Sequence, residues 1–276
     1  DLVFESELIK YSDSTELVYS IDLNGKHLSQ IYTLYNKGFV ISYRIINDGF
    51  EQLIDTKNLN FYWEGKMPKI EREMTDARQR ATTRYYTLSG NTDYISKTST
   101  KYEEMPIDEY IQWMAFNQKF FTASIISEKG FSKGLITLMP SNNDETVKEG
   151  TLSSEIPFTD FLNNQAHFKY FFGPNKYNIL NQVTEGFSQN IELGWLFLPF
   201  INKYLIIPIF NFLEKFLSNY GLIIIIMVLI IRLILSPLTY KSHISMAKMR
   251  VLKPELDVIK EKHDGDMQKA QSDQLE

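Results

Sequence analysis

The chain contains no cysteine among its 276 residues, which excludes disulfides, Cys-ligated zinc and thiol catalysis. It has only four histidines, His27, His167, His243 and His263, scattered without metal-ligand spacing, so no metal or cofactor site is expected. A concentrated basic face is also missing. Residues 1–190 hold 19 Lys and Arg against 25 Asp and Glu, which argues against nucleic-acid binding by this part. No low-complexity tract or internal repeat is visible. Neither an initiator Met nor a charged-then-apolar signal precedes Asp1-Leu2-Val3, and the chain closes at Gln274-Leu275-Glu276 inside a helix-like charged pattern. The expectation is that further segments lie beyond both ends.

What is present is 43% hydrophobic residues, enough for a sizeable core, but unevenly spread. Residues 1–140 read mainly as strands rich in Tyr, Phe, Thr and Ile. In Phe39–Ile45, Phe39, Ile41, Tyr43 and Ile45 alternate with Ser42 and Arg44, and Asn36-Lys37-Gly38 separates them from Ile31–Tyr35, which predicts a hairpin. Lys119–Ile126 and Gly134–Met139 form a second expected pair. Many short strands divided by turn residues predict a large antiparallel sandwich. Glu71–Arg84 reads as a loop or short helix and Asn142–Gly150 as an exposed loop. Phe158–Phe187 reads as helix or connector, with a turn at Gly173-Pro174 and a short helix within Asn175–Val183.

In residues 191–219, Leu205, Ile206, Ile209, Phe212, Leu213, Phe216 and Leu217 recur at helical spacing opposite Asn211, Glu214, Lys215 and Ser218. Pro199 and Pro208 preclude one straight helix, and Trp195, Phe197, Phe200 and Tyr204 crowd the first half. This composition suits a membrane interface; the alternative is a helix packed under the β domain. Tyr220–Leu238 carries one charge in 19 residues, the length that spans a hydrocarbon core about 30 Å thick. Lys241, Lys248, Arg250 and Lys253 follow before any acidic residue, which puts the C-terminal tail on the cytoplasmic side and the β domain outside. An outside domain then needs an upstream signal or anchor. After the span, Met246, Met249, Leu252, Leu256 and Ile259 form an apolar stripe that calls for a partner helix, and Pro254 either interrupts it or opens a new helix.

Two candidate sites follow. Arg232 stands nine positions before Lys241, about 13 Å inside the cytoplasmic end at 1.5 Å per residue. A charge at that depth faces protein or water, or its long stem snorkels to the headgroups; both readings stand on the residues alone. Gly130-Phe131-Ser132-Lys133-Gly134 has the spacing of a hydrolase nucleophile elbow. That geometry needs a helix after the serine, whereas a strand follows here, so a hairpin loop is expected.

Arg232-Leu233-Ile234-Leu235-Ser236-Pro237-Leu238-Thr239, followed by Ser245-Met246-Ala247-Lys248-Met249-Arg250-Val251-Leu252-Lys253-Pro254-Glu255, closely resembles the YidC/Oxa/Alb membrane-protein insertase family. Trp113–Phe121 and Tyr170–Pro174 resemble its bacterial YidC branch. The resemblance implies a periplasmic β-supersandwich over residues 1–190, an interfacial amphipathic helix over 191–219, the first core transmembrane helix over 220–240, and the first arm of a cytoplasmic helical hairpin over 241–276. It implies an inner-membrane protein that inserts and folds nascent membrane proteins, alone or with the Sec translocon and its accessory subunits, often receiving them from ribosomes. In that family a hydrophilic groove open to cytoplasm and lipid bilayer contains the arginine matching Arg232. No bond is made or broken in that work, so no enzyme is implied. The sequence departs from the family in carrying one transmembrane helix where the core has five, which leaves Arg232 without its usual neighbours. The competing reading is a membrane-anchored extracytoplasmic module that binds carbohydrate or peptide.

Overall fold

Trp113-Met114-Ala115-Phe116 has no polar alternation, and a strand of that kind must be covered on both faces. The computed structural model, which describes residues 3–54, 59–194 and 196–262, shows how. Among the described residues the chain runs through β1 (Glu5–Lys10), β2 (Ser14–Leu23), β3 (Lys26–Tyr35), β4 (Val40–Asp48) and β5 (Leu59–Pro68). Helix α1 (Met74–Arg80) precedes β6 (Thr82–Thr87), β7 (Thr92–Tyr94), β8 (Glu103–Ile107) and β9 (Ile111–Asn117). There follow β10 (Phe121–Phe131), β11 (Gly134–Pro140), β12 (Thr146–Ile156), α2 (Phe158–Leu162), β13 (His167–Pro174) and α3 (Tyr177–Val183). The chain divides into two units between Glu192 and Leu193.

The strands form two antiparallel sheets. The larger has the order β1-β2-β3-β4-β13-β10-β9-β6-β7, the smaller β5-β12-β11-β8. Ile125, Phe131 and Phe168 from the large sheet and Met67, Ile136 and Leu152 from the small one share the main core. On the other face of the large sheet Trp113, Ile126 and Phe171 are covered by Leu180 of α3 and by Phe187. Central strands are therefore sealed on both sides, as the texture of β9 requires. Outer strands alternate instead: in β5, Phe61, Trp63 and Met67 turn inward, while Tyr62, Glu64 and Lys66 are exposed. The β2–β3 hairpin closes through Asn24-Gly25, both at positive φ (57° and 73°), the conformation a two-residue turn demands.

The expected β3–β4 hairpin is present, with Leu34 opposite Ile41. Helices also stand at Met74–Arg80 and Tyr177–Val183, where short helices are expected. Three expectations are overturned. β10 and β11 do not pair; β10 lies between β9 and β13, and β11 between β8 and β12. Gly130–Gly134 is thus a crossing between sheets rather than a hairpin loop, because Phe131 is fully buried in the core, stacked on Phe168 at 5.3 Å. Asn142–Gly150 is not one exposed loop: β12 begins at Thr146, and Val147 and Lys148 are buried. Tyr170–Pro174 is not a connector but the end of β13, in the middle of the large sheet, with Gly173-Pro174 still paired to β10.

Candidate functional site

Residues 193–262 carry the segments for which the sequence predicts a membrane. Helix α4 (Leu198–Ile201) has Pro199 in its first turn, where a missing backbone N–H removes no helical bond. A π-helical stretch, Asn202–Ile206, joins it to α5 (Ile207–Glu214), with Pro208 just after the junction. The run from Leu198 to Glu214 is thus not one regular α-helix, as its two prolines predict. Phe197, Phe200, Tyr204, Phe212 and Phe216 are all exposed along this segment. Trp195 lies outside the described residues.

Helix α6 runs from Tyr220 to Lys262 without a break. The side chain of Asn219 caps it, its Oδ1 accepting from the backbone N–H groups of Gly221 (2.9 Å) and Leu222 (3.2 Å). Tyr220 stacks on Phe210 of α5 at 6.2 Å. The interruption or new start expected at Pro254 does not occur. At Pro237 the ring leaves the Leu233 carbonyl without its usual N–H, and the Ser236 hydroxyl donates to that carbonyl at 2.9 Å. Thr239 likewise donates to the Leu235 carbonyl at 3.0 Å. In hydrocarbon, such local donors are what let a proline sit inside a helix. The 43 residues measure about 65 Å at 1.5 Å per residue, twice a hydrocarbon core.

Tyr220–Pro254 is long and apolar enough to cross a membrane. Arg232 is exposed on this helix, twelve positions after Tyr220, with apolar neighbours Ile231 and Leu233. Lys241, Lys248, Arg250 and Lys253 are exposed further along. Met246, Met249 and Leu252 of the expected stripe are exposed too; the side chains of Leu256 and Ile259 lie outside the described ones, as does His263.

The β unit holds a different kind of cation. Lys148 is buried to 1% exposure, its Nζ donating to the carbonyls of Ala81 (3.0 Å) and Lys97 (2.8 Å). Among the described residues no carboxylate is within ion-pair distance of it. Desolvation lowers its pKa to about 8. Arg84, also buried, donates to the Gln189 carbonyl at 2.7 Å and lies over the Tyr94 ring. Its pKa too is lowered by burial. The sequence gives no warning of either, since a lysine or arginine in a strand reads as solvated until the strand's neighbours are known.

Ser132 does not stand on a nucleophile elbow. It lies between two strands, and its hydroxyl donates to the Glu155 carbonyl at 3.2 Å. His27 faces Asp22 at 3.3 Å, His243 is exposed, and among the described residues no cluster could hold a metal ion. A groove of about 320 Å³ crosses β4, β10 and β13, lined by Ser42, Arg44, Glu128, Lys129, His167 and Lys169 among others. Its cations are already matched: Arg44 to Glu16 (3.0 Å), Lys169 to Glu128, and Lys129 to Asp160 (3.8 Å).

Comparison with known proteins covers both units. The family model described as YidC periplasmic domain matches residues 3–208, and that described as 60Kd inner membrane protein matches 212–276. A protein of Amoebophilus asiaticus named membrane protein insertase YidC is 40% identical over 253 residues, covering 91% of this chain and 42% of its own length. Proteins of the same name from Cytophaga hutchinsonii and Parabacteroides distasonis are 32% and 28% identical, across 97% and 93% of this chain and 45% and 42% of theirs. The chain thus spans less than half the length of these relatives. With a β-sheet unit and an apolar helix each matched to its counterpart, the chain belongs to the YidC family of inner-membrane proteins.

Proposed function

We propose that this chain is a fragment of a membrane-protein insertase, with the β unit in the periplasm, α6 crossing the inner membrane and the positively charged stretch after it in the cytoplasm. The observation that carries the reading is Arg232, a guanidinium exposed on an otherwise apolar stretch of α6. Held at the bilayer centre it costs about 3 kcal/mol, which a polar groove closed by the remainder of the protein offsets. Water in that groove shortens the apolar path a substrate must cross. The guanidinium attracts acidic and polar substrate segments, and more strongly than in bulk water because the local dielectric is lower. Nascent membrane proteins, delivered by ribosomes with or without the Sec translocon, are the substrates this chemistry fits. Residues 193–219, with their row of exposed aromatics, lie along the outer membrane–water boundary.

In the whole protein, Arg232→Ala weakens insertion of substrates with acidic translocated tails, and Arg232→Lys largely retains it. Equal insertion by all three versions removes the charge from the mechanism. The groove on the large sheet favours a second reading, an anchored carbohydrate- or peptide-binding module. Its cations are internally paired, so it offers a ligand no unmatched charge. Normal insertion after Arg232→Ala, with lost binding after Arg44→Ala, is the pattern that reading requires.

A further inference from the structure

One end of the β unit carries a cluster of exposed phenylalanines. Phe39 precedes β4, Phe120 and Phe121 sit at the β9–β10 turn, and Phe172 is near the end of β13; their exposures run from 42% to 52%. They gather at one end of the large sheet but on both of its faces, Phe39 beside Phe171 (6.3 Å) on the α3 side and Phe172 against Trp63 (5.7 Å) and Tyr170 (6.1 Å) on the other. The Phe172 N–H donates to the Phe39 carbonyl (2.9 Å), Phe172 stands opposite Ala123 in the ladder, and Phe121 stands opposite Pro174. The placement is built rather than accidental. Gly173 leaves room for the Phe39 ring, since a Cβ there would sit 2.8 Å from it. Ile70, exposed to 56%, lines the same surface as Phe120 and Phe121. Beside them Lys119 is held by Glu71 (2.9 Å) and Asp76 (2.7 Å), so its charge is met within the protein.

The chain leaves the β unit at this same end. Asn117, the last residue of β9, donates from Nδ2 to the backbone carbonyl of Asn190 at 3.1 Å. Seven residues lie between Asn190 and Leu198, where α4 begins, a reach of at most about 28 Å. Phe120 is three residues from Asn117. The tether from this end of the β unit to α4 is therefore short.

We propose that this phenylalanine end dips into the outer boundary of the lipid bilayer, so that the β unit is docked on the membrane and not merely tethered to it. Phenyl rings with no polar handle gain from leaving water for the acyl–headgroup boundary. The proposal rests on the placement of residues 193–219 at that boundary. The far end of the unit, where Asn164 meets the end of β4 and Leu162 is exposed, would then face away from lipid.

The cysteine-free chain makes the test direct. Single cysteines in place of Ile70, Leu162 or Phe216 are labelled with an environment-sensitive fluorophore. The full chain is then reconstituted in phosphatidylethanolamine–phosphatidylglycerol vesicles containing nitroxide lipid. The labels at 70 and 216 are expected to lose most of their emission to the nitroxide, and that at 162 to keep it. Adding Phe121→Ser and Phe172→Ser restores the emission at 70 and leaves 216 quenched. Quenching at 216 but not at 70 overturns the docked end while leaving the boundary segment in place. A label at 70 that is shielded from water yet untouched by nitroxide lipid means a protein occupant, a second copy included, and overturns it as well. Loss of quenching at 216 defeats the underlying membrane placement.

Discussion

Two cations show how differently burial treats charge. Arg232 stands in an apolar stretch of α6, and the role proposed for it depends on a polar groove around it. Lys148 is desolvated within the β unit and satisfied by two carbonyls, with its pKa lowered to about 8 from the ordinary 10.5. Between those values the unfolded chain holds the proton and the folded one has released it, so stability rises with pH across that window. Urea unfolding of the chain should show the midpoint climbing from pH 8 to just below 10, and Lys148→Met should abolish the climb. A flat wild-type profile means Lys148 is better solvated than its surroundings imply. Above pH 10 the sign reverses, because burial raises the pKa of Tyr43 and Tyr170 and keeps their hydroxyls protonated after unfolded tyrosines ionise. Arg232 was legible in the sequence because its setting is one-dimensional, a charge inside an apolar run. Lys148 was not, since Val147-Lys148-Glu149 looks solvated until β5, β11 and the Ala81 carbonyl close over it.

At the scale of elements, the outer face of the large sheet depends on a short piece of chain. Trp113 is stacked on Tyr86 at 5.7 Å and meets Phe187 edge-on at 5.2 Å, while its indole N–H donates to the Glu185 carbonyl at 3.2 Å. Removing Phe187 opens a cavity over β9 and β13. Phe187→Ala should destabilise the unit by about 3–5 kcal/mol. Tyr62→Ala, on the exposed face of β5, should stay within about 0.5 kcal/mol in the same urea titration. Similar losses for the two would mean that the Phe187 cover is not part of the cooperative core. The sequence showed β3 and β4 because each alternates and a turn separates them. It hid β13 because Tyr170-Phe171-Phe172 feeds both cores at once and loses the alternation, and because Gly173-Pro174 looks like a turn although it still pairs with β10. β10 and β11 are each recognisable as strands; which sheet each joins is set by long-range packing around Phe131, which no local spacing encodes.

For the whole molecule, helix α6 sets the architecture. Its 43 residues exceed a hydrocarbon core about twofold, so a spanning α6 carries Lys241, Lys248, Arg250 and Lys253 beyond the membrane on the side opposite the β unit. In the proposed topology the positive charge of that end puts it in the cytoplasm. The most direct test uses a cysteine-free version of the whole protein with one cysteine introduced, at Asn142 in the β unit or at Ser242 past the span, both exposed positions. Intact spheroplasts are treated with a membrane-impermeant maleimide before and after permeabilisation. Asn142→Cys should label in intact spheroplasts, and Ser242→Cys only once the membrane is opened; labelling of both from outside, or the reverse order, contradicts a membrane-crossing α6 with its β unit in the periplasm.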